Sequence, residues 1–220
     1  MTVKARGLSR KGGGRCAQRK CAEDAEPMAI SVREIRRDRY PEYAEIDSSY
    51  EVASVLKVIP KDKGLGGLQF VEEAVAQPYR KGADGPEDSP SSWPPRQEPG
   101  EFVAFLAMED ALPVGGAAVI VNPAGAFLFE RRDALAGLWD IRVRPDHRRR
   151  GVGSQLLLHA ADWAKARGCA QLRVECQNVN VAACRFYAKH CTLGGVERYG
   201  YAACADVAHE AMLLWYRALR

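Results

Sequence analysis

Arg148-Arg149-Arg150-Gly151-Val152-Gly153-Ser154 is the stretch on which the fold turns, because a strand-like run ends just before it and an amphipathic helix begins within it. Upstream, Leu138-Trp139-Asp140-Ile141-Arg142-Val143-Arg144 alternates apolar and polar residues, the period of a half-buried strand, and Pro145-Asp146 stops it. Downstream, Leu156, Leu157, Ala160, Ala161 and Ala164 recur at helical spacing, with His159, Asp162, Lys165 and Arg167 on the other side and Gly168 in the usual terminating position. Two glycines without Cβ thus stand where a helix start exposes unpaired amides, and three arginines stand beside them, which reads as an anion site. Taken alone, the stretch fits a solvated basic loop before a surface helix equally well. Two nucleotide motifs fit worse: a phosphate-binding P-loop needs Lys before Ser154, and the dinucleotide fingerprint needs glycine where Leu156 stands.

A second motif breaks the tie. After a strand-like Leu172-Arg173-Val174-Glu175-Cys176 comes Asn180-Val181-Ala182-Ala183-Cys184-Arg185-Phe186-Tyr187. With Val143-Arg144-Pro145 and Arg148 to Gly153, its order and spacing resemble the GNAT acetyltransferases, in which Val-x-Pro, Arg-x-x-Gly-x-Gly/Ala and Asn-x-x-Ala-x-x-Phe-Tyr follow one another. The resemblance narrows toward the streptothricin acetyltransferases through Glu175 to Asn180, Ala183 to Tyr187, Val196, Tyr201, Glu210 and Trp215-Tyr216, and upstream through Ile46-Asp47, Glu51-Val52, Glu73 and Pro78-Tyr79. Two departures stand out. Trp139-Asp140 keeps the second of a usual acid pair, and Cys191-Thr192 replaces a usual Gly-Phe.

The resemblance implies an α/β (α+β) GNAT acyl-CoA N-acyltransferase fold. Its mixed sheet of about seven strands is antiparallel first and parallel at the cofactor strands, with helices on both faces. It implies acetyl-CoA as co-substrate, no metal, and transfer of acetyl to a primary amine by direct attack on the thioester. Arg148, Arg149, Arg150 and the amides of Gly151, Val152, Gly153 and Ser154 are expected at the pyrophosphate. Ile141, Arg142 and Val143 on the strand, and Asn180, are expected along the pantetheine arm. Tyr187 is placed to protonate the departing thiolate, since phenol and thiol titrate in neighbouring ranges. Asp140, then Glu175, are the candidate bases for the amine. Asn180 also reads as a helix N-cap, and Tyr187 as packing beside Phe186.

Composition is that of an ordinary soluble protein. With 47% apolar and 27% charged residues, 220 residues could bury roughly 70% of their unfolded surface. The net charge of +4 is mild, and Lys4, Arg6, Arg10, Lys11, Arg15, Arg19 and Lys20 carry much of it in a Gly-rich segment, so charge gives no ground for nucleic acid. Residues 1–27 are expected to be a disordered basic tail, with Met28 as an alternative start and residues 28–220 as one domain. Seven cysteines, no Cys-x-x-Cys, no apolar signal core and no membrane-length run point to reduced thiols in a cytoplasm with no membrane partner. Cys176 and Cys184 flank the site, but read as small hydrophobes before nucleophiles.

Along the rest of the chain, Ile30 to Arg36 reads as a first strand, and Leu68 to Ala76 has helical periodicity ended by Pro78. In the family picture this region builds helices at one wall of the acceptor cleft, with Tyr50, Glu72, Glu73 and Tyr79 as candidate contacts. Residues 82–100, with Pro86, Pro90, Pro94, Pro95 and Pro99, read as a mobile loop anchored by Trp93. Phe102 to Met108, Val114 to Val121 and Ala126 to Arg131 read as an antiparallel meander, and Leu193 to Tyr201 and Met212 to Leu219 as closing strands. The expected acceptor is a small cationic amine, with a streptothricin-like antibiotic as one candidate. A protein or peptide N-acetyltransferase and a non-catalytic CoA-binding regulator are the alternatives, and a homodimer stays open.

Overall fold

A computed structural model describes residues 29–82, 89–93, 102–121, 134–202 and 205–219. The expected basic tail, the strand expected at 126–131 and most of the loop at 82–100 lie outside them. Seven strands form the main sheet: β1 (Ile30–Ile35), β4 (Phe102–Glu109), β5 (Leu112–Val121), β6 (Leu135–Val143), β7 (Gln171–Gln177), β8 (Thr192–Glu197) and β9 (Met212–Ala218), in the order β1-β4-β5-β6-β7-β9-β8. Neighbours run antiparallel except β6 and β7, which helix α2 (Val152–Ala166) connects in parallel, as a helical crossover requires. The expected mixed sheet is thus observed.

The sheet is buried on both faces because its strands alternate between two apolar layers. Val103, Phe105 and Ala107 of β4 join the layer beneath α2, whose Leu156, Leu157, Ala160, Ala161 and Ala164 are the buried stripe read from the sequence. Ala104, Leu106 and Met108 join Tyr43, Ile46 and Trp93 on the other face, where α1 (Tyr40–Ala44) packs. Trp93 is buried against the edges of Tyr40, Tyr43 and Phe102, so it does anchor its segment. A Cβ on Gly116 of β5 would stand 2.3 Å from the ring of Tyr43, which is fully buried. Gly116→Ala is therefore expected to destabilise the protein by about 1–3 kcal/mol through overpacking, read as a lowered urea midpoint at unchanged slope.

The segment expected to be helical is a strand. β3 (Leu68–Lys81) pairs antiparallel with β2 (Tyr50–Pro60) in a separate two-stranded ribbon. Both ribbon faces are partly exposed, so period-two patterning is weak and a short apolar run with two glutamates imitates a helix face. Pro78 does not end the element. It falls in the irregular stretch between the Val52–Tyr79 and Ser54–Ala74 pairs, where the regular ladder is interrupted. One wall of the acceptor cleft is accordingly a β-ribbon rather than a pair of helices. Asn178, just past β7, fixes it: Leu56 N–H donates to the Asn178 carbonyl at 3.0 Å, Asn178 Nδ2 donates to the Leu56 carbonyl at 3.0 Å, and Asn178 Oδ1 accepts from Ala211 N–H at 2.8 Å.

Candidate active site

The site exists because β6 and β7 separate. They pair at three positions, Leu135–Gln171, Ala136–Leu172 and Gly137–Arg173, and then diverge. The cause is local: between Leu138 and Asp140 the β5–β6 register shifts, leaving Trp139 as the extra residue of a bulge that bends β6. A cleft of about 770 Å³ opens between the strands, lined by Leu138 to Val143 on one side, Val174 to Gln177 on the other, the start of α2 and the inner face of α3 (Val181–His190). The Arg144 amide donates to the Val114 carbonyl, so Arg144 and Arg142 address β5 while Ile141 and Val143 turn their backbone groups to the gap.

At the start of α2 the chain forms an anion cradle. Arg149 and Gly151 both adopt the left-handed conformation, with φ of 67° and 88°. The amides of Val152, Gly153 and Ser154 fall in the first turn, where helices supply no internal acceptor, and no acid stands in that turn. A Cβ on Gly153 would meet Phe186 at 3.5 Å, ordinary contact, so this glycine leaves open space rather than relieving a clash. Arg148, Arg149, Gly151, Gly153 and Ser154 line the cleft. Arg148 already has work there: Nε donates to the Val143 carbonyl at 3.0 Å and the guanidinium to the Ser49 carbonyl at 2.9 Å. Val152 turns its side chain into the core and offers the amide alone.

Two expected cofactor residues point elsewhere. Arg150 pairs with Glu109, which also binds Nε2 of the buried His147 at 2.9 Å, so its charge braces the loop from behind. Arg142 is buried, clamps both oxygens of Asp140 at 2.8 and 3.0 Å and lies 5.2 Å from the centre of the Tyr43 ring. Residues 140 and 142 share one face of β6, which is why they meet. Asp140 also accepts from the Tyr43 hydroxyl at 2.6 Å, so it is held as an ionic partner rather than poised for an incoming amine.

Asn180 caps α3, its Oδ1 accepting from the Ala183 amide at 3.1 Å. Tyr187, one turn from the end of that helix, is buried between Phe186 and Trp215. Burial above all, with the Asp140 carboxylate adding to it, holds its phenol well above the usual range, so it stays protonated at working pH. Its hydroxyl has no hydrogen-bond partner among the described residues. Glu175 lines the same cleft; burial above all, with Glu210 adding to it, pushes its carboxyl up to about 7, and the Tyr201 hydroxyl donates to it. Cys176 and Cys184 lie Sγ to Sγ at 3.6 Å, unbonded, and Trp215 Nε1 donates to Cys176 at 3.2 Å. The hydrogen bond to Cys184, then burial, raises the Cys176 thiol, which leaves it a packing group rather than a nucleophile.

Of the expected acceptor contacts, Tyr50 lines the cleft and reaches Gln177 Oε1 at 3.4 Å. Glu72 pairs with Arg185, which lines the cleft, and Glu73 with Lys57; neither glutamate lines it, so a solvated face accounts for them. Three contacts left no local sequence signal: the Tyr43 brace on Asp140, a Ser154–His190 bond at 3.0 Å tying the start of α2 to the end of α3, and the Lys81–Glu210 ion pair. Each joins residues far apart in the chain.

Comparison with known proteins gives the chain a family and a fold. The family model described as the acetyltransferase (GNAT) family aligns with residues 68–192. Streptothricin acetyltransferase A of Bacillus subtilis (strain 168) is 33% identical over 152 residues, 69% of this chain and 80% of that protein. A streptothricin acetyltransferase of Escherichia coli is 39% identical over 84 residues, 37% of this chain and 48% of that protein. Among solved structures, one provisionally named as a streptothricin acetyltransferase from Bacillus anthracis str. Ames, in complex with acetyl coenzyme A, superposes with a TM-score of 0.69 at 24% identity, covering 87% of this chain and 98% of that one. Nourseothricin acetyltransferase gives 0.67 at 24% identity, covering 87% and 99%. These two likenesses carry the fold. No helix among the described residues is long and apolar enough to cross a membrane.

Proposed function

Because the chain belongs to the GNAT acetyltransferase family and is an acetyl-CoA-dependent acetyltransferase, we propose that its acceptor is a primary amine of a small cationic molecule of the streptothricin kind. The observation that carries this reading is Glu175, a carboxyl that lines the cleft and has no ion pair among the described residues. Asp47 and Asp140 line the cleft as well, and Glu210 lies beside it. Asp47 pairs with Arg80, Asp140 with Arg142 and Glu210 with Lys81, whereas Glu175 forms no ion pair among the described residues. A cationic acceptor suits such a surface better than a neutral peptide terminus does. The relatives named for streptothricin add independent support.

The residues present fit acetyl-CoA. The gap beside β6 offers the backbone groups of Ile141 and the amide of Val143, whose carbonyl already accepts from Arg148, and the cradle at Arg149 to Ser154 offers amides and positive charge for a diphosphate. Bound there, the cofactor supplies an acetyl thioester. Arg148 and Arg149 neutralise phosphate charge, the Val143 amide polarises the carbonyl, and Asn180 orients the arm while capping α3. Glu175 takes the ammonium proton of the acceptor, directly or through water, and Tyr187 gives its phenolic proton to the leaving thiolate. Glu175 is preferred to Asp140 because the latter is fixed by Arg142 and Tyr43. The free thiols of Cys169, Cys176, Cys184 and Cys191 suit a reducing cytoplasm.

Mixing the protein with acetyl-CoA and streptothricin is expected to release free CoA thiol and add one acetyl group per antibiotic molecule, followed by thiol titration and mass spectrometry. Turnover on peptide amines with none on streptothricin, aminoglycosides or polyamines would reverse the acceptor assignment.

A further inference from the structure

We propose that Glu210 selects the acceptor: its carboxylate seats a second, non-reacting ammonium group, and Lys81 is the internal cation that stabilises the seat until that group arrives. The inference rests on the cationic-acceptor reading above and assigns a residue and a charge pattern to it.

Glu210 is 2% exposed. Its Oε1 receives the Lys81 ammonium, while its Oε2 is buried and has no hydrogen-bond partner among the described residues. A buried carboxylate oxygen without a donor is unfavourable, and an arriving N–H group relieves it. Neither residue lines the cleft, but the pair borders it. Lys81 closes β3 directly opposite Tyr50 in the ribbon, and Tyr50 and Gly82 both line the cleft. Glu210 is near enough to Tyr50 and Glu175 to oppose the ionisation of each. The pair is also chemically informative, because a lysine side chain on Glu210 is itself an alkylammonium in a carboxylate seat.

The proximity of the two acids defines the ligand class. Glu175 lies near the end of β7, Asn178 follows that end and binds Ala211, the neighbour of Glu210, and Glu210 is near enough to oppose the ionisation of Glu175. An acceptor that engages both acids carries two amino groups on a short aliphatic spacer. One loses its proton at Glu175 and attacks; the other stays charged on Oε2 of Glu210 and competes with Lys81 for the same negative charge. A monoamine leaves the ion pair undisturbed.

Steady-state kinetics with acetyl-CoA and streptothricin on the wild type, Glu210→Gln and Lys81→Met test this. Glu210→Gln is expected to raise the streptothricin KM by about tenfold or more with the acetyl-CoA KM nearly unchanged, the comparison being made well above the Glu175 midpoint, where that base is ionised in either protein. Lys81→Met is expected to lower it, because the acceptor no longer shares the seat. A pair that merely holds the fold predicts that both substitutions raise KM or lower stability alike, and that result overturns the proposal, as does an unchanged KM in Glu210→Gln. Should Glu210→Gln fail to fold, Lys81→Met decides alone: a lower KM supports the seat, and a higher or equal one overturns it. If the wild type prefers other amines, the same comparison on 1,3-diaminopropane against n-propylamine decides, with the effect expected on the diamine alone. A wild type inert towards every amine defeats the acceptor reading itself, and the seat with it.

Discussion

Replacing Tyr187 with phenylalanine is expected to lower kcat by about 10²- to 10⁴-fold, the span usual for loss of a positioned general acid, with affinity for acetyl-CoA essentially retained. The ring is packed between Phe186 and Trp215, so the phenylalanine keeps the fold and removes the hydroxyl alone. Burial raises the phenol well above its ordinary value, which by itself weakens a proton donor. The same dry surroundings act on a thiolate formed beside it, so the two groups rise together and the transfer stays nearly balanced. Stopped-flow measurement of thiol release, with acetyl-CoA binding followed by calorimetry, separates the loss of chemistry from a loss of binding. Unaltered turnover would show that water protonates the thiolate.

Replacing Glu175 with glutamine is expected to lower kcat/KM by about 10²-fold at neutral pH and to change the shape of the pH profile. In the wild type, activity rises as Glu175 loses its proton, with a midpoint at about 7, and the variant lacks that limb. Stability runs the opposite way. The carboxyl is raised from 4.5 when unfolded to about 7 when folded, so the folded state holds the proton more tightly, and stability falls as pH climbs between those values before levelling. Thermal melts of the apo protein across that window should show the decline in the wild type and a flatter line in Glu175→Gln. A rising limb that survives the substitution would assign the base elsewhere.

The strands and helices around the cleft are well marked in the sequence, because their signals are local. Helix α2 shows a clean apolar stripe, Gly151 and Gly168 adopt left-handed conformations at its ends, and Asn180 is a cap whose donor lies three residues on. The ribbon was misread for the complementary reason. β2 and β3 face solvent on much of both surfaces, so pairing rather than burial fixes them, and pairing leaves little local trace. Side-chain direction was equally hidden. Arg150 sits in the expected loop yet turns to Glu109, and Asp140 ranks first by position yet is held by Arg142 and Tyr43. Such commitments depend on partners brought from other elements.

The three-position contact between β6 and β7 bears on how long the protein lasts as well as on what it does. Past that contact the facing edges of β6 and β7 are not paired with each other, and local opening there would bare strand edges to proteases and to other chains. A co-substrate bound in that seam would tie the two strands together, and mass action would make the tie as strong as its concentration allows. Starved cells would therefore lose the activity twice, once for want of donor and again because the emptied protein is the more perishable one.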